Sequence, residues 1–182
     1  MDEGNILAQE KVSLDGTEVA SELLDNAAIS GARLICDIIL KIENDPSVLI
    51  GIPQSGEPSY TGVILHEDGK IDWNLPVEVI EAKVRAYFSE PGCYTTEKIS
   101  EDKIQPLRIL KGKIILNEEV CSKYSNEPNG KVVEFVKSDG IYIKCSNGIF
   151  CVTLLQRQGK NEMNYKDFMN GARNFIGTVL GM

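Results

Sequence analysis

The sequence predicts an α+β chain whose C-terminal part is a five-stranded β-barrel with flanking helices, preceded by a strand and a helix. Three observations predict it. Between residues 93 and 155, short runs rich in β-branched and aromatic residues are separated by Asp139-Gly140 and Asn147-Gly148, the dipeptides that tight hairpins use. Strands joined this closely must pair their edges, and a small closed or nearly closed barrel does so. Before residue 44 the apolar residues instead follow the period of one long amphipathic helix.

In chain order, Ile6 to Leu14 reads as a short strand leaving a turn at Gly4. From Thr17, a candidate N-cap, the residues Ala20, Leu23, Leu24, Ala27, Leu34, Ile35, Ile38, Ile39 and Ile42 recur at helical spacing, with a bend expected at Ser30-Gly31. A strand and one helix cannot enclose a core, so residues 1–44 require another surface over this apolar stripe. Residues 45–70 hold Pro46, Pro53, Pro58 and several glycines with little periodicity, the mark of a linker. Residues 71–182 then form the second domain. Its first helix, Leu75 to Phe88, sets Val77, Ile80, Val84 and Tyr87 on one face, with Asn74 at the cap and Pro76 in the first turn. Pro91-Gly92 stops it. Strands follow at Cys93 to Ile99, Ile104 to Leu116, Lys131 to Val136, Ile141 to Lys144 and Ile149 to Leu155. Asn164, with Asp167 three residues on, starts a last helix through Ala172.

Composition sets the function classes. With 182 residues, 42% of them hydrophobic and 25% charged, the chain has an ordinary globular balance. No run approaches the roughly 20 apolar residues of a membrane span, and Met1-Asp2-Glu3 lacks the basic and apolar regions of a signal peptide, so a cytoplasmic location is expected. Five scattered cysteines without a Cys-x-x-Cys pair read as reduced thiols, and one histidine without ligand spacing argues for no metal. Gly112, Gly130 and Gly148 match neither phosphate-binding spacing and are assigned to turns. The net charge of -8 is unevenly spread: residues 1–70 hold 4 Lys and Arg against 13 Asp and Glu, whereas residues 71–182 hold 15 against 14. Only the second part can present a basic face to a polyanion.

Three stretches carry a resemblance. Gly69-Lys70-Ile71-Asp72-Trp73-Asn74-Leu75-Pro76, followed by Val84-Arg85-Ala86 and Pro91-Gly92-Cys93-Tyr94-Thr95, is similar to the segment that opens the C-terminal domain of methionyl-tRNA formyltransferases. Leu155-Gln156, Gly159-Lys160, Met163, Asp167-Phe168 and Gly171-Ala172-Arg173 resemble that family's closing pattern, and Asp2-x-Gly4-Asn5-Ile6-Leu7 resembles the element that ends its catalytic site. The resemblance implies an oligonucleotide-binding-like (OB-like) barrel in residues 71–182, a remnant of a Rossmann-like formyltransferase domain in residues 1–44, and a linker in residues 45–70. It further implies formyl transfer from 10-formyltetrahydrofolate to methionyl initiator tRNA during translation initiation, with no metal and a monomeric protein.

Formyl transfer needs proton transfer between the attacking and leaving nitrogens and stabilisation of a tetrahedral oxyanion. In the family an Asn, a His and an Asp share these tasks. Only Asp2 has a counterpart here; Asn-x-His does not occur, and the sole histidine, His66, reads as a solvated linker residue. The chain alone is therefore expected to be inactive. Candidate tRNA contacts are Lys70, Lys83, Arg85, Lys98, Lys111, Lys113, Lys131, Lys144, Arg157, Lys160 and Arg173, with Lys103 and Lys137 beside them. Tyr94, Tyr142 and Phe150 are candidates for stacking or for core, and Arg85 is equally placed to pair with Glu81. Two alternatives stay open: a non-catalytic nucleic-acid-binding module, and a related sugar-nucleotide formyltransferase or formyltetrahydrofolate hydrolase.

Overall fold

The computed structural model describes residues 3–100 and 103–181, apart from the side chain of Arg173. Its backbone divides into two compact units, Met1–Val63 and Ile64–Met182.

In the first unit, helix α1 (Ala20–Asn44) runs unbroken through Ser30 and Gly31. Thr17 does not cap it. Asp15 accepts from the Thr17 amide and hydroxyl at 2.9 and 2.6 Å, and Glu18 accepts from the Asp15 and Gly16 amides, so a local turn consumes the capping groups. These amides hold the Glu18 carboxyl below its ordinary value, the Glu18 backbone first among them. No residue of α1 is buried, and Leu24, Ile29, Ile35, Ile39 and Leu40 are exposed. The strand expected from Ile6 to Leu14 is not formed. Ile6 alone pairs, exchanging hydrogen bonds of 2.8 and 2.9 Å with Ile52, because the described residues of this unit offer no neighbouring strand to satisfy the rest of the segment. Residues Pro46–Ile50, expected as linker, form a short 3-10 helix capped by Asp45.

The second unit is built on one curled antiparallel sheet. After α2 (Val77–Ala86) come β1 (Tyr94–Ser100), β2 (Lys103–Ile115), α3 (Glu118–Lys123), β3 (Val132–Val136), β4 (Gly140–Lys144), β5 (Ile149–Arg157), β6 (Met163–Asn164) and α4 (Tyr165–Gly171). The strand order is β1-β2-β5-β4-β3, with β6 added to β5. That leaves β1 and β3 as edges, and the C-terminal segment lies between them. The Val132 amide donates to Thr178 O at 2.8 Å and the Leu180 amide to Gly130 O at 2.9 Å on the β3 side, while the Gly181 amide donates to Thr96 O at 3.0 Å on the β1 side. The barrel is thus completed by a tail that carries no strand signature of its own.

Leu107, Ile109, Val132, Ile141, Ile143, Phe150, Val152 and Leu155 fill the inside of the sheet. Trp73 and the apolar face of α2 (Val77, Ile80, Val84) join this core, as do Phe168, Met169 and Phe175 near the C-terminus. Burial of each such aliphatic side chain contributes about 1.5–3 kcal/mol. The Trp73 indole N–H donates to the Thr95 hydroxyl at 3.0 Å, so the polar edge of a buried ring is satisfied inside the barrel. Beside β4 and β5, α3 packs Val120 and Cys121 over a smaller cluster of Tyr124, Tyr142, Ile149 and Cys151.

Three local features differ from the sequence expectation. Helix α2 is capped from far along the chain: the Asn147 side chain accepts from the Val77 amide at 2.8 Å and donates to Glu78 at 2.9 Å, so the hairpin dipeptide also serves as a helix cap. This bond from Asn147 is the main reason the Glu78 carboxyl lies below its ordinary value. Gly112 is not a turn residue. It sits within β2, where a Cβ would lie 2.3 Å from the Phe150 ring, so the glycine makes room for the core aromatic of β5. Helix α3, unanticipated, is started by Asn117 accepting from the Val120 amide at 3.1 Å, with Glu118 and Glu119 in its first turn.

Candidate nucleic-acid interface

Two groups stand out among the barrel's cations. In the first, the charge is already engaged. Arg85 pairs with Glu81 one helical turn away, its Nε 2.8 Å from Oε1. Lys113 is bonded to Asp139, Lys123 to Glu134 and Lys131 to Glu127. Lys144 is buried and donates to the carbonyls of Cys145 and Ser146, closing the β4–β5 turn rather than facing solvent. Lys83 donates to Lys70 O at 2.7 Å, holding the segment before α2 against that helix. Arg157 is fixed on both sides: its Nε and Nη2 meet the buried Glu97 at 2.9 and 2.6 Å, and its guanidinium lies 4.5 Å from the Phe168 ring centre. A cavity of about 710 Å³ is lined by Glu97, Lys98, Arg157, Asn170 and Asn174, and the guanidinium in it is already neutralised.

These pairs leave their mark on titration. The Lys113 ammonium holds the Asp139 carboxyl below its ordinary value, and the Tyr124 hydroxyl with Lys123 does the same for Glu134. Burial pushes the Cys93 thiol up to about 11 and the Cys145 and Cys151 thiols up to about 12, so the barrel's buried cysteines stay protonated.

The second group is free of carboxylates among the described residues, and most of it lies on the outer face of β1, β2 and β5. Thr95 and Glu97 are buried, so alternation puts Tyr94, Thr96 and Lys98 outside. Arg108 stands opposite Tyr94 in register, and Gln156 opposite Arg108. Arg108 donates to Gln156 Oε1 at 3.3 Å, and the Gln156 amide donates to Lys160 O at 2.8 Å, which brings the exposed Lys160 loop to the same face. Lys70 lies beside Tyr94 through a parallel bridge, and Lys111 stands 5.8 Å from the Phe88 ring centre.

At the centre of this face, His66 stacks on Tyr94 with ring centres 4.8 Å apart and planes 29° from parallel. His66 was expected to be a merely solvated linker histidine; it is exposed, yet held by this stack. Next to it a cavity of about 290 Å³ is lined by both rings, Pro91, Gly92, Pro106, Arg108 and Gln158. Gly92 has φ +81°, and a Cβ there would come within 2.6 Å of Arg108 Nη2, so the Pro-Gly turn doubles as the seat of the guanidinium.

Of the other candidates, Tyr142 and Phe150 are core residues, Lys103 is exposed on β2, and Lys137 is exposed in the β3–β4 turn. Asp2 and the side chain of Arg173 lie outside the described residues. Sequence reading missed Arg108. Its only signal was indirect, through the register that a β1–β2 hairpin imposes on Tyr94.

The fold and this face define a small antiparallel barrel module with helices at its margins. Residues 64–173 match the family described as formyl transferase, C-terminal domain, and the chain belongs to that family. A methionyl-tRNA formyltransferase of Treponema denticola is 34% identical over 178 residues, covering 95% of this chain and 52% of its own length. One from Akkermansia muciniphila is 31% identical over 96% of this chain and 53% of its own. The chain thus spans about half the length of the curated relatives it matches. A variant of HypX from Aquifex aeolicus shares the fold, with a TM-score of 0.66 at 14% identity over 96% of this chain and 30% of that one.

Proposed function

We propose that this chain supplies the tRNA-facing part of a methionyl-tRNA formyltransferase, the enzyme that moves a formyl group from 10-formyltetrahydrofolate to methionyl initiator tRNA. In this reading residues 71–182 are the tRNA-binding domain, residues 45–70 a linker, and residues 1–44 the end of the catalytic domain, with Asp2 as its catalytic carboxylate. The observation that carries it is the sorting of charge. Although the barrel is nearly neutral overall, Lys70, Arg108 and Lys160 gather around Tyr94, with Lys98 farther along the outer side of β1 and Lys111 beside Phe88, while Arg85, Lys113, Lys131, Lys144 and Arg157 are engaged elsewhere. Gathered cations neutralise neighbouring phosphates, whereas the same charges spread evenly attract little. The family match and relatives of that name support the substrate.

A filter assay with methionyl initiator tRNA tests the reading. Binding is expected to be weak, to fall steeply with salt, and to survive an excess of sugar nucleotide, with no formyl transfer by the chain alone because its sequence holds no Asn-x-His element. Binding that ignores salt, or that a sugar nucleotide displaces, contradicts it.

A further inference from the structure

We propose that the cavity beside the His66–Tyr94 stack is a slot for one unstacked nucleobase of a bound RNA. The inference rests on the tRNA-facing reading and names what the face takes hold of besides phosphate. A lysine cluster alone accounts for attraction to any polyanion. It does not account for two stacked rings, two prolines and a seated guanidinium enclosing about 290 Å³ in its midst. That volume is at the lower limit of small-molecule pockets, which run from about 300 Å³ upward, and suits a single base.

The lining chemistry is selective for a flat, polar-edged ring. His66 and Tyr94 present aromatic surface, and Pro91 and Pro106 present apolar surface without an N–H to satisfy. Arg108 offers planar donors to a base carbonyl or ring nitrogen, and the Gln158 amide offers both a donor and an acceptor. Arg108 cannot swing away freely, because Gly92 closes beneath it and Gln156 accepts from it. A base entering the slot carries its phosphate toward the surrounding cations, with Lys70 adjacent to Tyr94 and Lys98 on the same face of β1. Double-stranded RNA cannot enter, since its bases are stacked and their edges lie in grooves; a loop, bulge or single-stranded end can.

The test uses the full chain and a single-stranded RNA of about eight nucleotides, within the site size of barrels of this kind, carrying one 2-aminopurine. Binding is expected to quench the 2-aminopurine as it stacks. His66→Ala, a change in an exposed residue that spares the barrel, and Tyr94→Leu should each weaken binding about tenfold and remove the quench while keeping the parent's salt slope. Arg108→Lys, which preserves charge, should weaken binding with the slope also unchanged. An RNA abasic at the probe position that binds as tightly as the intact one, or variants that bind and quench like the parent, would overturn the slot and leave the tRNA-facing reading in place. A parent chain that binds neither this RNA nor tRNA at low salt overturns both.

Discussion

Trp73 shows how one side chain ties the sequence to the barrel. The residue is buried, its indole bonds to the fully buried Thr95, and it fills space that a Cβ on Gly130 or Gly181 would enter. Trp73→Phe removes the donor, leaves the Thr95 hydroxyl without that partner and opens a small void, so it should cost about 2–4 kcal/mol in urea unfolding. An unchanged midpoint would contradict the role given to this bond. Asp139 makes a separate prediction. Its carboxyl is held below its ordinary value of 3.8, by Lys113 first and by Tyr142 as well. A depressed carboxylate contributes stability that is present above the unfolded value and is lost as pH falls through the folded one. From about pH 6 to about pH 3, the parent should therefore lose more stability than Asp139→Asn does. Parallel losses would show that the Lys113–Asp139 pair contributes nothing.

At the scale of elements, the strands were legible because alternation and the Asp-Gly and Asn-Gly turns are local signals. The boundaries of β2, β3 and β4 fall within a residue or so of the sequence expectation. What could not be read is non-local. Asn147 caps a helix from 70 residues away, Gly112 yields space to a ring on a paired strand, and Arg108 becomes part of a face only through register. The expected strand at Ile6 to Leu14 failed for the converse reason: its local pattern was adequate, but a strand also needs a partner. The C-terminal tail is the largest such feature. Its bonds to Thr96, Gly130 and Val132 and the burial of Leu180 complete both sheet edges. Deleting residues 177–182 should cost at least about 3 kcal/mol and make β1 and β3 sensitive to protease, whereas a fragment of residues 64–182 should unfold as cooperatively as the parent barrel. Equal protease resistance with and without the tail would contradict the closure.

For the whole molecule, charge and apolar surface are divided between two units. The acidic first unit carries a helix with no buried residue, while the second encloses its own core and gathers several of its uncommitted cations. Net charge hid this arrangement, because -8 averages over an acidic first part and a barrel whose ion pairs cancel locally. The sequence could list the lysines; only pairing in three dimensions separates those available to phosphate from those that hold the fold. The account therefore stands on a difference between two sets of lysines. The measurement is tRNA affinity against salt for the parent, for Lys70→Ala with Lys98→Ala and Lys160→Ala, and for Lys113→Ala with Lys131→Ala. The account predicts that the first set flattens the salt slope by about one unit per true phosphate contact, and that the second leaves the slope unchanged at whatever stability remains. Equal flattening by both sets, or flattening by the second alone, would contradict it.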